Sequence, residues 1–316
     1  WLLVGWFDDT ARLGLVLFWG PETTGARVIQ VRLFSARGVV RLFASGGGVR
    51  HRRFRSTASD LRALGPAPSD LRGPGVRLEA LLPCEPCHVL DQIGIEISGL
   101  CSFLFWPYPL VSNDLQKRTR GLELAGKIGQ AAHDLGVKNV LLVPGAVHIP
   151  WRDDHEPVPN QVCDDRAKKA VGTLALQAEK LGVSLNIENI FFNGYLMTPF
   201  EMNAFVDHFD SEHVRIHFDT GNIMLFQHPE HWVPVMKDRI QNIHLKEFTK
   251  KGTDHSLECF RPLLDGTTNW PALLEALDEV NYEGFLTFEY FHPYPHYPEA
   301  LIYQTSDSLD RILGRI

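Results

Sequence analysis

The sequence predicts an α/β fold, a single (β/α)8 barrel spanning residues 1–316 with an irregular first third, and three observations carry that expectation. From about residue 93 onward, short apolar runs alternate with amphipathic segments of helical period. The runs are nearly all apolar, as expected of parallel strands covered on both faces. A length of 316 residues with 44% hydrophobic content can fill the core of one such barrel, which needs about 250 residues.

The elements follow in order. Ile93–Cys101 reads as a strand, and Asp114–Leu135 as a long helix with Asp114 placed to cap it. Gly136 closes that helix before the strand Val137–Val143. A helix over Asp164–Leu181, stopped by Gly182, precedes the strand Val183–Ile187. Thr198–Phe209 is a helix with Pro199 in its first turn, and Val214–Phe218 is the next strand. Glu230–Arg239 (helix), Ile240–Leu245 (strand), Trp270–Val280 (helix), Phe285–Phe288 (strand) and Ser306–Leu313 (helix) complete the pattern. Two upstream candidates, Leu13–Phe18 and Val39–Phe43, would bring six strands to the eight that close a barrel. An open doubly wound sheet is the alternative, but no Gly-rich turn of the dinucleotide-binding type follows any strand.

Residues 1–90 differ from the rest. They hold twelve Arg, no Lys, no Asn and seven Asp/Glu, whereas the remainder carries 19 Lys/Arg against 31 Asp/Glu. A basic arm for a polyanion is one reading. A divergent set of first strands is the other, favoured because the Arg residues are mixed with Gly, Pro and apolar residues. The well-specified barrel units therefore cover residues 93–316. The net charge of −7 argues against a nucleic-acid surface. No apolar run is long enough to span a membrane, and no signal peptide is legible. Five scattered cysteines suit a reducing cytoplasm. Cys84 and Cys87 form a CxxC, but without a second pair they make a poor zinc or redox site.

The late strands end in chemistry. The fifth barrel strand runs into Glu188 (SLNIENI), the sixth into Asp219 (IHFDTGN), the seventh into His244 (NIHLKE) and the eighth into Glu289 (LTFEYF). In a barrel these positions meet at the C-terminal rim, where barrel active sites lie. Three carboxylates and an imidazole converging there would repel one another unless a divalent cation neutralised them. One carboxylate at a strand end is often a helix cap; four in succession are hard to explain that way. A donor set of oxygens and one nitrogen, without thiolates, favours Mn²⁺, with Mg²⁺ or Co²⁺ as alternatives.

From about residue 93 to the end, the chain resembles the xylose-isomerase-like TIM-barrel superfamily of sugar phosphate isomerases and epimerases. The superfamily also includes hydroxypyruvate isomerases, inosose dehydratases and endonuclease-IV-type repair enzymes. IENI, HFDTGN, NIHLKEF, FLTFEY and the block LLDGTTNWPALLEALDEVNYEG carry the resemblance. It implies a metal-dependent isomerase or epimerase of a ketose or ketose phosphate, with Glu188, Asp219, His244 and Glu289 as metal ligands. It also implies that Glu188 and Glu289 exchange protons with the substrate through an enediolate. The alternative is a keto-polyol dehydratase on the same barrel. Relatives acting on free ketoses usually carry Glu, His and Arg where this chain has Gly194, Asn222 and Lys250, so the substrate-side contacts differ. The DTGN form looks more like the branch acting on pentulose or hexulose phosphates. The expected partner is a small sugar or sugar phosphate and not a nucleic acid, and the expected assembly is a homodimer or homotetramer.

The substrate-side candidates are Asn222, Lys246, Lys250, His217 and Trp106. Lys246 and Lys250 follow the seventh strand, where they could meet a phosphate or hydroxyl or simply face solvent. His217 lies two residues before Asp219 and should point to the same side, as a packed histidine behind the ligands or as a substrate contact. Phe103, Phe105, Trp106 and Tyr108 would give an apolar wall or a piece of core. His148, Trp151, His155 and Glu156 lie on a loop that could cover the site, and His292, Tyr294, His296 and Tyr297 on one at its mouth. The loop Leu264–Asn269 could present backbone N–H groups to an anion or merely cap the next helix.

Overall fold

The computed structural model describes residues 97–149, 152, 156–251, 256–290, 292, 294, 296–297 and 300–315, together with three short strands before them. Cys84, Cys87, Trp151 and His155 lie outside the described residues. The upstream strands are β1 (Leu17–Trp19), β2 (Val28–Arg32) and β3 (Arg41–Ser45). The main sheet continues with β4 (Asn139–Leu142), β5 (Ser184–Glu188), β6 (Val214–Asp219) and β7 (Ile240–Leu245). A two-stranded excursion, β8 (Glu247–Phe248) and β9 (Phe260–Arg261), precedes β10 (Phe285–Phe288).

β4, β5, β6, β7 and β10 lie side by side, every neighbouring pair parallel. A parallel bridge from Leu100 to Val140 extends the sheet beyond β4, which reduces the expected strand Ile93–Cys101 to one bridge among its described residues. This is the curved parallel array of a TIM barrel, each strand followed by a helix. The first third departs from expectation. β1 takes the edge beside β10 but runs antiparallel to it, and β3 pairs with β2 in a separate antiparallel ladder. For β3 the cause is chain length: a parallel crossover needs about a dozen residues or more, and the link 33–40 is too short to carry one, so β3 returns antiparallel along β2.

The helices are α1 (Leu115–Asp134), α2 (Asn160–Leu181), α3 (Pro199–Asp207), α4 (Pro229–Met236), α5 (Trp270–Glu279) and α6 (Ala300–Ile312). Asp114 caps α1 as expected, its carboxylate accepting from the Gln116 and Lys117 N–H groups. α2 starts at Asn160, upstream of the expected Asp164, because Pro159 stands at the cap position with its φ already fixed. Pro234 lies inside α4, and the expected continuation to Arg239 tightens into a 3-10 turn over Lys237–Arg239. α6 likewise starts at Ala300, ahead of the expected Ser306. Among the described residues no helix is long and apolar enough to cross a membrane.

Alternation along the strands sorts two kinds of residue. Ile187, Ile216, Phe218, Ile243 and Leu245 are buried with the helices, and the Trp232 ring of α4 stacks on Phe218 at 5.7 Å between centroids. The other face of the strands is polar. The Asn139 Nδ2 donates to the Ser98 carbonyl at 2.8 Å, the Asn186 Nδ2 to the Asn139 Oδ1 at 3.1 Å, and the Asn242 Nδ2 to the Ser98 carbonyl at 3.2 Å. These buried amides form the floor on which the rim residues stand.

Candidate functional site

Register aligns the rim. Asp219 pairs with His244 across β6 and β7, and His217 pairs with Glu188 across β5 and β6. Glu289 follows β10 directly, its N–H donating to the Leu245 carbonyl at 3.3 Å. One ligand atom from each of Glu188, Asp219, His244 and Glu289 lies within 4.8 Å of all the others. The His244 Nδ1 sits 3.0 Å from the Glu188 Oε1, 3.7 Å from the Asp219 Oδ2 and 3.5 Å from the Glu289 Oε2. The residues at the four expected strand ends therefore meet at one point.

A fifth group completes the cluster. Lys246 is only 1% exposed, and its Nζ donates to the Glu289 Oε2 at 2.7 Å, the Asn222 Oδ1 at 3.0 Å and the Asp219 Oδ2 at 3.3 Å. Of the two readings of Lys246, a substrate-side contact or a solvated loop, the solvated loop fails, because the site buries the ammonium among carboxylates. The DTGN segment builds its seat. Thr220 Oγ1 exchanges hydrogen bonds with the Lys246 backbone, donating to the carbonyl at 3.0 Å and accepting from the N–H at 2.9 Å. A Cβ on Gly221 would stand 2.8 Å from both the Lys246 Cγ and its carbonyl oxygen, so only glycine lets the lysine pass. The Asp219 Oδ1 accepts from the Gly221 and Asn222 N–H groups at 2.9 and 2.8 Å. Asn189, which sequence reasoning missed, holds Asp219 from behind through its side-chain amide and supplies a carbonyl to the Asn222 Nδ2.

The electrostatics follow from crowding in a dry site. Burial, reinforced by the neighbouring carboxylates, pushes Glu188 up to about 7 against the lowering influence of His244. Burial also raises Asp219, although Lys246 pulls the other way. Burial would raise Glu289 as well, but Lys246 and His244 hold it well below the usual carboxylate range. For His244 burial opposes protonation, and Glu289 with the hydrogen bonds to Asp219 and Glu188 reverses that, so its net shift is well upward. Protonated His244 and Lys246 stand in for a positive charge that the carboxylates require. The donor set of three carboxylates and one imidazole fits a divalent cation, and it is the cluster's charge excess that such an ion would relieve.

The remaining candidates scatter. Lys250 is directed away from the four, its Nζ donating to the Gln227 carbonyl at 2.9 Å and lying 3.2 Å from the His228 Nε2. Trp106 is half-buried, its ring edge-on to Phe103 at 6.5 Å. Phe105 is core. An aromatic surface that the sequence did not announce lies against the cluster: the Lys246 Nζ stands 4.6 Å over the Phe260 ring of β9, which packs with Phe191 and Phe248. Gly194 adopts φ +72°, a conformation strained for any side chain, so the glycine found where free-ketose relatives carry Glu answers a backbone requirement. The Leu264–Asn269 loop already has its anion. The Glu247 carboxylate accepts from the Leu264 N–H at 3.1 Å, the Thr268 N–H at 3.0 Å, the Thr268 Oγ1 at 2.5 Å and the Trp270 Nε1 at 2.8 Å. Asn269 then caps α5, accepting from the Ala272 N–H. Changing Glu247 to Ala strands these buried donors and is expected to cost roughly 3 kcal/mol or more, read as a lowered urea midpoint. An unchanged midpoint would show that the loop finds other partners.

A profile for the xylose isomerase-like TIM barrel matches residues 88–312. The chain belongs to that family. The match confirms the resemblance read from the strand-end motifs. A curated relative, provisionally named L-ribulose-5-phosphate 3-epimerase, from Escherichia coli K12, is 26% identical over 204 residues, covering 63% of this chain and 67% of its own. Among solved structures, an L-ribulose 3-epimerase superposes with a TM-score of 0.60 at 18% identity, covering 72% of this chain and 78% of its own. The 3-keto-D-glucoside 4-epimerase of E. coli, in its apo form, gives 0.59 at 17%, with 72% and 82% covered. The IOLI protein with a bound zinc atom gives 0.60 at 16%, with 75% and 84% covered. At these identities the structures speak for the fold alone.

Proposed function

We propose that the protein is a divalent-metal-dependent isomerase or epimerase of a ketose or ketose phosphate, built as one barrel unit over residues 1–316. The observation that carries this reading is the meeting of Glu188, Asp219, His244 and Glu289 at the C-terminal ends of adjacent parallel strands. The epimerase names of its relatives support it. A divalent ion held by these four, Mn²⁺ in our reading with Mg²⁺ or Co²⁺ as alternatives, would polarise the substrate's carbonyl and hydroxyl oxygens.

The protein's own groups move the proton. Glu188 and Glu289 come from β5 and the end of β10, strands that lie on either side of β7 and its His244, and in our reading they address opposite faces of a substrate carbon. One carboxylate takes the proton from the carbon beside the carbonyl, and the C–H electron pair becomes the C=C bond of an enediolate. The other, protonated at the outset, returns a proton to the opposite face or to the neighbouring carbon. Lys246 joins the substrate side by fixing the Glu289 carboxylate, and Asn222 by accepting from the same ammonium and so holding it in place. Asp219, with one oxygen committed to the Gly221 and Asn222 amides, and His244 are fixed ligands.

The test is incubation of Mn²⁺-loaded protein with a panel of ketoses and ketose phosphates in D₂O. Deuterium at C3 is expected for an epimerase and at C1 for an aldose–ketose isomerase. Elimination of water would identify a keto-polyol dehydratase instead. No exchange with any member of the panel would overturn the proton-transfer reading.

A further inference from the structure

His217 is a buried histidine for which the proton-transfer mechanism has no use. It sits on β6 two residues before Asp219, so both side chains project to the same face of the sheet. The residue is 4% exposed, and its ring lies edge-on to that of His244 with centroids 4.0 Å apart. Neither of its ring nitrogens has a hydrogen-bond partner among the described residues. Buried polar atoms are almost always paired, so an imidazole with both nitrogens unpaired points to something that binds there. One ligand atom each from Glu188, His217 and His244 lies within 4.8 Å of the other two.

This triad overlaps the rim in Glu188 and His244, and it replaces Asp219 and Glu289 with a second imidazole. The two sets therefore differ in chemical softness. Carboxylate oxygens suit Mg²⁺ and Mn²⁺, whereas imidazole nitrogens suit Ni²⁺, Cu²⁺ and Zn²⁺. We propose that His217 is a metal ligand for borderline transition ions, which seat lower in the barrel on Glu188, His217 and His244, and that it thereby sets which ion the protein prefers. The inference rests on reading the cluster as a metal site. The competing account of His217 is a core imidazole bonded to a trapped water.

The experiment uses the full chain stripped of metal, with Ni²⁺, Zn²⁺ and Mn²⁺ each titrated calorimetrically against a competing chelator. His217→Leu is expected to weaken Ni²⁺ and Zn²⁺ by at least roughly ten- to hundredfold, the scale seen when even a group behind a ligand is lost. Mn²⁺, seated on the carboxylates, is expected to change far less. Equal losses for all three ions, or no loss, would overturn the role of His217. X-ray absorption at the zinc edge of the unmodified protein avoids any question of folding in the variant. Two imidazoles around zinc are expected; one, with zinc bound, would overturn this inference while leaving the metal site standing. Failure of the unmodified protein to bind any of the three ions would overturn the metal reading itself.

Discussion

Glu188→Gln is expected to lower turnover by roughly a thousandfold or more, within the range that loss of a proton-transferring group produces. The substitution keeps the size and shape of the side chain and an oxygen able to face His244, whose Nδ1 stands 3.0 Å away. What it removes is basicity and charge, at a residue proposed both to hold the ion and to exchange a proton with substrate. The protein should fold unimpaired. Burial already pushes Glu188 up to about 7, so its ionised form is costly to keep in this site, and a neutral amide relieves that cost. A thermal midpoint equal to or above that of the unmodified protein is therefore expected alongside the lost turnover. Deuterium exchange at saturating Mn²⁺ decides the assignment. Near-normal exchange by the variant would mean that Glu188 is not one of the two proton carriers.

The parts of this molecule that were legible in the sequence obey local rules. Glu188, Asp219, His244 and Glu289 each stand at the end of an apolar run, and parallel strands in register bring such ends together whatever lies between them. Asp114 before a helical period is a cap, and it caps. What the sequence hid depends on partners far along the chain. Lys246 looks like a loop lysine until Thr220, Gly221 and Asn222 are seen to form its seat. The spacing of DTGN after one strand and HLKE after the next was the available signal, since strand pairing sets the two segments side by side. Leu264–Asn269 could be read as an anion loop or as a helix cap, and nothing local shows that the Glu247 carboxylate, 17 residues upstream, fills it. The pairing of β3 with β2 follows from the short link between them, whereas the antiparallel seat of β1 beside β10 joins segments at opposite ends of the chain and leaves no local signal.

Lys246→Met tests how the cluster is held together when no ion occupies it. The ammonium donates to Asp219, Asn222 and Glu289 at 3.3, 3.0 and 2.7 Å, with Asp219 itself fully buried. Methionine fills a similar volume and follows the same path past Gly221, but leaves those carboxylates without their cation. Breaking a buried pair by removing one partner typically costs about 3–5 kcal/mol, so the metal-free variant should unfold at a clearly lower urea concentration. The deficit should grow as pH rises. Burial already raises Asp219 and Lys246 opposes that shift, so without the lysine its folded pKa climbs further above the unfolded one. A group with a raised folded pKa loses stability as the solution becomes more alkaline, which places the larger deficit at pH 8 and the smaller at pH 5. Mn²⁺ should then close most of the gap, because a divalent cation supplies the charge that the lysine supplied. Urea midpoints for both proteins, with chelator and with excess Mn²⁺, measure this. A deficit of the same size in the two conditions would show that Lys246 supports the fold by its packing and not as the counter-charge of the metal cluster.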